Sequence, residues 1–246
     1  MTPANRIANV FPDGRWLRGY IRGKLDSDPV FNKGLAALKG KSGQIIDLGC
    51  GLGLFALWLR QHGCLQPVLG CDLGQWKVEA GMRAAQQLEF RDIELCHQDM
   101  TQTSLVNASA VCAFDVLHYL PVPKQEILVR SLAAAARGGA LVLIRTGVRG
   151  LGWRSAITSL QEYWTRMTGW IRGGEANFPV LENLISAFEK EGCSVKTEPL
   201  WGKTPFSSHW FEIEANPAFT SSTVDQADAM SGTLGPAPTD SASRLK

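Results

Sequence analysis

The apolar positions of this chain fall into short blocks that alternate with segments of helical period. Ile45 and Ile46 lead into Asp47, and an apolar run of helical length continues to Leu59. Between them lie Gly49, Gly51 and Gly53, the residue type suited to tight turns and positive φ, so the pattern predicts strand, turn and helix. A buried strand is expected over Pro67–Leu73, then a helix carrying Trp76, Ala80, Ala84 and Leu88, then a strand over Asp92–Cys96. A fourth strand starts at Ser109 and runs into a loop holding Asp115, His118 and Tyr119, which Pro121 and Pro123 are expected to stop. A helix follows over Gln125–Arg137 with Ile127, Leu128 and Leu132 inward, ended by Gly138 and Gly139, and Ala140–Ile144 makes a fifth strand. Strands alternating with helices predict an α/β fold with a parallel sheet covered on both faces.

The two ends read differently. Asp28 before Pro29 fits an N-cap with proline in the first turn, and Val30, Leu35 and Leu38 share a face, so residues 1–41 are expected to form a helical cap. Residues 149–179 interleave Trp153, Tyr163, Trp164, Trp170 and Phe178 with Arg154, Arg166 and Arg172. That is either a helix packing its rings on the sheet or a lid over the substrate. Leu181–Glu191 reads as a helix closed by Gly192, and two strands, the second antiparallel, flank the segment KTPFSS. From Pro217 to Lys246 the mixture of Ser, Thr, Ala, Gly and Pro cannot supply a core, and a disordered tail is expected.

Composition narrows the classes. With 246 residues, 45% apolar and 20% charged, the chain suits one soluble domain with a small addition. A net charge of +2 does not suggest nucleic-acid binding. No apolar run approaches the roughly 20 residues of a membrane helix, and the start lacks a signal-peptide core, so a cytoplasmic protein is expected. The six cysteines include no C-x-x-C pair, and Cys71, Cys96 and Cys112 fall on strands where a thiol packs as a small apolar group. His62, His97, His118 and His209 lack metal-ligand spacing, and no metal is expected.

The glycine turn, followed by the free N–H groups of a helix, suits a nucleotide-like ligand. The dinucleotide fingerprint G-x-G-x-x-G does not fit, because the third glycine comes one residue early and Leu54 holds its place. Asp72 stands about 20 residues beyond the turn, where an acid on the next strand reaches ribose hydroxyls. Asp47, Asp72, Asp99 and Asp115 would all fall at the carboxyl ends of the strands, the edge at which such sheets bind ligands.

The series D-x-G-x-G-x-G, Asp72, HQDM, DVLHYL and the GG-strand resembles the class I S-adenosylmethionine (SAM) dependent methyltransferases over Gln44–Ala215. The resemblance implies a Rossmann-like, doubly wound, seven-stranded and mostly parallel sheet with an antiparallel last strand. It implies SAM as cofactor, with Gly49, Gly51 and Gly53 at its methionine part and Asp47 near its amino group. Asp72, beside Leu73, would take the ribose, and Asp99 and Met100 the adenine edge. Within that family, YIRGKLDSDPVF, RTGVRGLGWR and LWGKTPF resemble methyltransferases encoded with bacterial aryl-polyene and xanthomonadin-type pigment pathways. That implies a small aromatic acceptor, free or held on an acyl carrier protein.

For such an acceptor Tyr20, Tyr119, Trp153, Trp201 and Phe206 are the expected binding rings. A phenol, with a pKa of about 10, needs a base to share its proton. His118 is the first candidate because histidine titrates near neutrality, Asp115 could orient the substrate, and His209 competes with His118. A structural role for either histidine stays open. A nicotinamide oxidoreductase is disfavoured by the glycine spacing and by the lack of Tyr-x-x-x-Lys after the fourth strand. A methyltransferase acting on another small-molecule or lipid-like acceptor stays open, as does a non-catalytic SAM-binding protein.

Overall fold

The computed structural model describes residues 1–12, 14–149, 177–201 and 207–219. Three helices come first: α1 (Pro3–Asn9), α2 (Gly14–Ser27) and α3 (Pro29–Leu38). Thr2 Oγ1 caps α1 by accepting from the Asn5 N–H at 3.2 Å, and Asp28 Oδ1 caps α3 by accepting from the Val30 N–H at 3.1 Å. Leu17, Ile21 and Leu25 bury one face of α2, and the cap leans on the helix after the first strand.

That strand is β1 (Gln44–Leu48), followed by α4 (Leu54–Gln61), β2 (Val68–Asp72), α5 (Gln75–Gln87), β3 (Ile93–His97) and β4 (Ala108–Phe114). Then come α6 (Val122–Arg137), β5 (Leu141–Gly147), α7 (Leu181–Lys190), β6 (Cys193–Pro199) and β7 (Ser208–Ala215). They make a seven-stranded sheet in the order β3-β2-β1-β4-β5-β7-β6, parallel except for β7, which runs antiparallel to both neighbours. The order reverses between β1 and β4, and the crevice at the carboxyl ends of those strands is where a sheet of this kind takes a ligand.

Alternation along the strands builds two cores. Ile45 packs with α4 and the cap while Ile46 packs with α6, and on β7 Trp210 and Phe211 divide in the same way. All six cysteines are free thiols. Among the described residues no helix is long and apolar enough to cross a membrane.

Several expectations shift. Helix α6 begins at Val122, with Pro123 in its first turn, so the prolines open the helix as well as closing the loop. Ile127 is 53% exposed, because the inward stripe of α6 runs through Leu128, Leu132 and Ala136. Strand β5 continues to Gly147, since Arg145, Thr146 and Gly147 pair with Trp210, His209 and Ser208. Pro217–Phe219, the first residues of the expected tail, form a helical turn with the Phe219 ring against Gly192. Most of the segment expected as a lid, and positions 220–246, lie outside the described residues.

Candidate cofactor and acceptor site

Past β1 the chain turns through Gly49, Gly51 and Gly53 at φ of 70°, 57° and 67°, the left-handed region open to glycine. Their reasons differ. A Cβ on Gly49 would stand 2.3 Å from Val116 Cγ1 and one on Gly53 2.5 Å from Leu95 Cδ1, whereas nothing lies within 4 Å of a Cβ on Gly51. Gly49 and Gly51 face a cavity of about 1330 Å³ at the carboxyl ends of β1, β2, β4 and β5. Gly53 instead starts α4 against Leu95 and is not on the cavity wall of the described residues.

Asp72 ends β2 and faces the same cavity. Its Oδ2 accepts the Gly51 N–H at 3.0 Å and its Oδ1 the Gly74 N–H at 2.7 Å, so one carboxylate fixes two turns. Asp47 is 3% exposed. Burial, then the charge of Asp72, push its pKa up to about 7. Leu73 and Met100 also line the cavity.

Asp99 does not. It caps the 3-10 turn Met100–Gln102, accepting from the Thr101 N–H at 2.9 Å, and pairs with Lys124 Nζ at 2.9 Å. Burial would raise its pKa, but those partners hold it below the usual carboxylate value. Gln98, which sequence reasoning passed over, lies on the wall instead.

The other end of the cavity is built around Arg145. Its Nε donates to Asp115 Oδ1 at 2.9 Å and its Nη2 to Asp28 Oδ2 at 2.8 Å, with further contacts from Nη2 to Asp115 and from Nη1 to Asp28. Lys24 Nζ adds an ion pair with Asp28 at 3.2 Å. Asp115 sits at φ 58°, and its own N–H donates to the Arg145 carbonyl at 2.7 Å, so backbone and side chain are tied to the same residue. Burial works against the charges of Asp28, Arg145 and Lys24. The partners win in each case, moving Asp28 down and Arg145 and Lys24 up.

His118 lies in the 3-10 turn Leu117–Tyr119, 5% exposed, with Nδ1 3.2 Å from Thr146 Oγ1. Its ring meets Phe178 at 5.0 Å and Tyr119 at 4.2 Å between centroids. Burial pushes its pKa down to about 4, so the expected titration near neutrality does not hold. His118, Tyr119 and Phe178 all line the cavity, as does Tyr20, which stacks on Trp16 at 5.9 Å.

His209 is placed elsewhere. Ser208 lines the cavity, so its neighbour on β7 points to the other face, where its ring meets Trp201 at 6.1 Å. Burial lowers the pKa of His209, and its buried Nδ1 has no hydrogen-bond partner. Trp201 is likewise off the cavity wall, and Trp153 and Phe206 lie outside the described residues.

Besides Gln98, sequence reasoning missed Arg145, Asp28 and Lys24. Asp28 was legible only as a cap and Lys24 only as part of the segment YIRGKLDSDPVF. The signal for Arg145 was an arginine in the middle of LVLIRTG, a strand buried at every position.

These residues fit SAM, a cation with two positive centres, one carboxylate and a ribose diol. The charge acting on buried Asp47 is another carboxylate, not a cation, which suits a positive ligand. Each oxygen of Asp72 keeps a lone pair beyond its backbone bond, and the space over Gly51 is open.

Comparison with known proteins agrees with this geometry. A family model described as a methyltransferase domain matches residues 22–198. The carboxy-S-adenosyl-L-methionine synthase of Idiomarina loihiensis is 28% identical over 154 residues, 58% of this chain and 60% of that protein, so the match spans less than two thirds of the relative. Magnesium protoporphyrin IX methyltransferase from Synechocystis PCC 6803, solved with bound SAH, shares the fold with a TM-score of 0.59 at 19% identity, over 85% of this chain and 92% of that one. Geranyl diphosphate C-methyltransferase from Streptomyces coelicolor A3(2) gives 0.62 at 13% identity over 87% and 88%. Mitomycin 7-O-methyltransferase gives 0.62 at 18% over 85% and 60%. With the family model covering well over half of its length and the glycine turn, Asp72 and sheet order in place, the chain belongs to the methyltransferase-domain family.

Proposed function

We propose that this chain is an enzyme that transfers the methyl group of SAM to a small-molecule acceptor. The observation that carries the reading is the pair Asp47 and Asp72. One is buried with no cation acting on it among the described residues, the other is fixed by two backbone N–H groups, and both face one cavity. When bound, SAM supplies an electrophilic methyl group on a sulfonium. Asp47 would sit at its amino end, Asp72 would accept from the ribose hydroxyls, and Leu73, Gln98 and Met100 would flank the adenine.

The volume of about 1330 Å³ exceeds the ~300–1,000 Å³ usual for one ligand, leaving room for an acceptor beside the cofactor. The rings of Tyr20, Tyr119 and Phe178 favour an apolar, planar acceptor. The chain's own task would be to hold it in line and exclude water. Among the described residues at the acceptor end, His118, neutral at pH 7, and the Asp115 carboxylate are candidates to take a proton from it.

The acceptors named for the fold neighbours are a porphyrin, a mitomycin and a prenyl diphosphate. That spread favours the broader reading, a small or lipid-like acceptor, over one tied to aryl-polyene pigments. A hydroxyaryl compound, free or on a carrier protein, is the narrower proposal, with the cytoplasm as its setting. Calorimetry with SAM and SAH, followed by turnover of labelled SAM against phenols and isoprenoid alcohols, tests both levels. Failure to bind either cofactor form contradicts the first, and turnover confined to isoprenoids contradicts the narrower one.

A further inference from the structure

The charge on the cavity walls restricts the acceptor. At the cofactor end, among the described residues, Asp47, Asp72 and Glu79 face one cation, Lys77. At the acceptor end Asp28 and Asp115 face Lys24 and Arg145, and those four side chains are committed to one another in series. Arg145 uses both edges of its guanidinium on the two acids and is 8% exposed, so it has no free face for an anion. Lys24 and Asp115, the two ends of the series, are each 31% exposed. An ionised carboxylate only accepts hydrogen bonds, and an ammonium only donates them.

Resting on the reading of this cavity as a SAM site, we infer that the acceptor reaches it without negative charge and presents a hydroxyl or amine N–H that donates to Asp115. An acidic acceptor entering here meets two carboxylates, and among the described residues of this end Arg145 is fully engaged and Lys24 already pairs with Asp28. A neutral hydroxyl can donate to a lone pair that Asp115 keeps beyond its bonds from Arg145, and can accept from an N–H that Lys24 keeps beyond its pair with Asp28. Arg145 is then a positioning residue. It touches no substrate atom, and by gripping Asp115 through both side chain and carbonyl it holds the carboxylate toward the cavity.

The test uses the full-length protein saturated with SAH and three probes that differ by one group: methyl 4-hydroxybenzoate, 4-hydroxybenzoate and methyl 4-methoxybenzoate. Calorimetric titration should show the neutral phenol binding about 5-fold or more tighter than either of the others, the size of a like-charge clash or a lost charged hydrogen bond. Asp115→Asn should bring the ester and the acid to within about twofold of each other, because the clash is gone. Arg145→Lys should narrow the preference for the phenol over its methyl ether while SAH affinity stays unchanged, which a merely structural role would not produce. Binding of the acid as tight as the ester, or no binding of any of the three, overturns the inference. SAH affinity is read in the same experiments. If SAH fails to bind, the function proposed above fails, and the three ratios on the free protein still decide the charge rule.

Discussion

Arg145, near the end of β5, holds Asp28 at the N-cap of α3 through an Nη2 to Oδ2 contact of 2.8 Å, joining two residues 117 apart in the chain. The same guanidinium holds Asp115, so the cap, the fourth strand's loop and the fifth strand meet at one buried cation. Replacing Arg145 with Met leaves two carboxylates facing each other with only Lys24, paired to Asp28, to offset their charge. Breaking a buried ion pair from one side costs about 3–5 kcal/mol, and urea unfolding at pH 7 should show a loss of that size. The sign with pH follows from Asp28, whose folded pKa is lowered. Its stabilisation is present above the unfolded value of 3.8 and is lost as pH falls through the folded one. The gap between wild type and Arg145→Met should therefore close in acid.

Asp47 behaves in the opposite sense. Its pKa rises from 3.8 to about 7 on folding, so its contribution is fully present below 3.8 and lost as pH rises through about 7. Without ligand, melting temperature should fall between about pH 4 and 7, and Asp47→Asn should remove that slope. A cationic ligand favours the ionised form, so SAM affinity should rise over the same window with release of a proton. Calorimetry in buffers of different ionisation enthalpy reads this directly, and absence of proton release near pH 7 argues against Asp47 at the cofactor.

Two neighbouring glycines should respond differently to alanine. At Gly49 the new Cβ meets Val116 Cγ1 at 2.3 Å as well as the strain of a φ of 70°, so the variant should lose stability first. At Gly51 the Cβ meets nothing within 4 Å, and the backbone strain alone is about 1–2 kcal/mol. Gly51→Ala should therefore fold, and its methyl group, standing in the cavity, should weaken SAM binding. Thermal melts paired with calorimetry separate the two effects.

For His118, burial and the rings of Tyr119 and Phe178 dictate a neutral imidazole above about pH 4. If it takes the acceptor's proton, His118→Ala should lower turnover by about 10²–10⁴ with little change in SAM affinity. The rate profile should show no inflection near 6.5. A normal rate in the variant passes the role to Asp115. Because the folded pKa is depressed, the stability linked to His118 is lost as pH falls from 6.5 toward about 4.

The fold was legible because its signals are local. Ile45–Ile46 with the glycine turn, and Asp28 with Pro29, each announce one element, and alternation supplies the rest. That Gly49, Gly51 and Asp72 share one cavity was legible for the same reason, since they follow one another along adjacent parallel strands. The acceptor end was not. Lys24, Asp28, Asp115 and Arg145 come from four places in the chain, and each alone reads as a solvated charge or a cap. His209 was misplaced because one residue along a strand reverses the face, and nothing in the sequence showed that Ser208, not His209, points to the cavity. Asp99 was chosen over Gln98 because an acid draws attention, yet Thr101 and Lys124 already occupy it.

The central claim is that Asp72 holds the cofactor in this cavity. Its two oxygens already accept from Gly51 and Gly74 at 3.0 and 2.7 Å, and their remaining lone pairs are available to a diol. Asp72→Ala removes those acceptors while leaving the strand and the fold. Losing charge-assisted bonds of this kind costs about 1.5–3 kcal/mol, or roughly 10- to 100-fold in affinity. The decisive measurement is calorimetric titration of SAM into wild type and into folded Asp72→Ala. The account predicts binding by the first and a 10- to 100-fold loss in the second, about the range given. Equal affinity in the two proteins would contradict it.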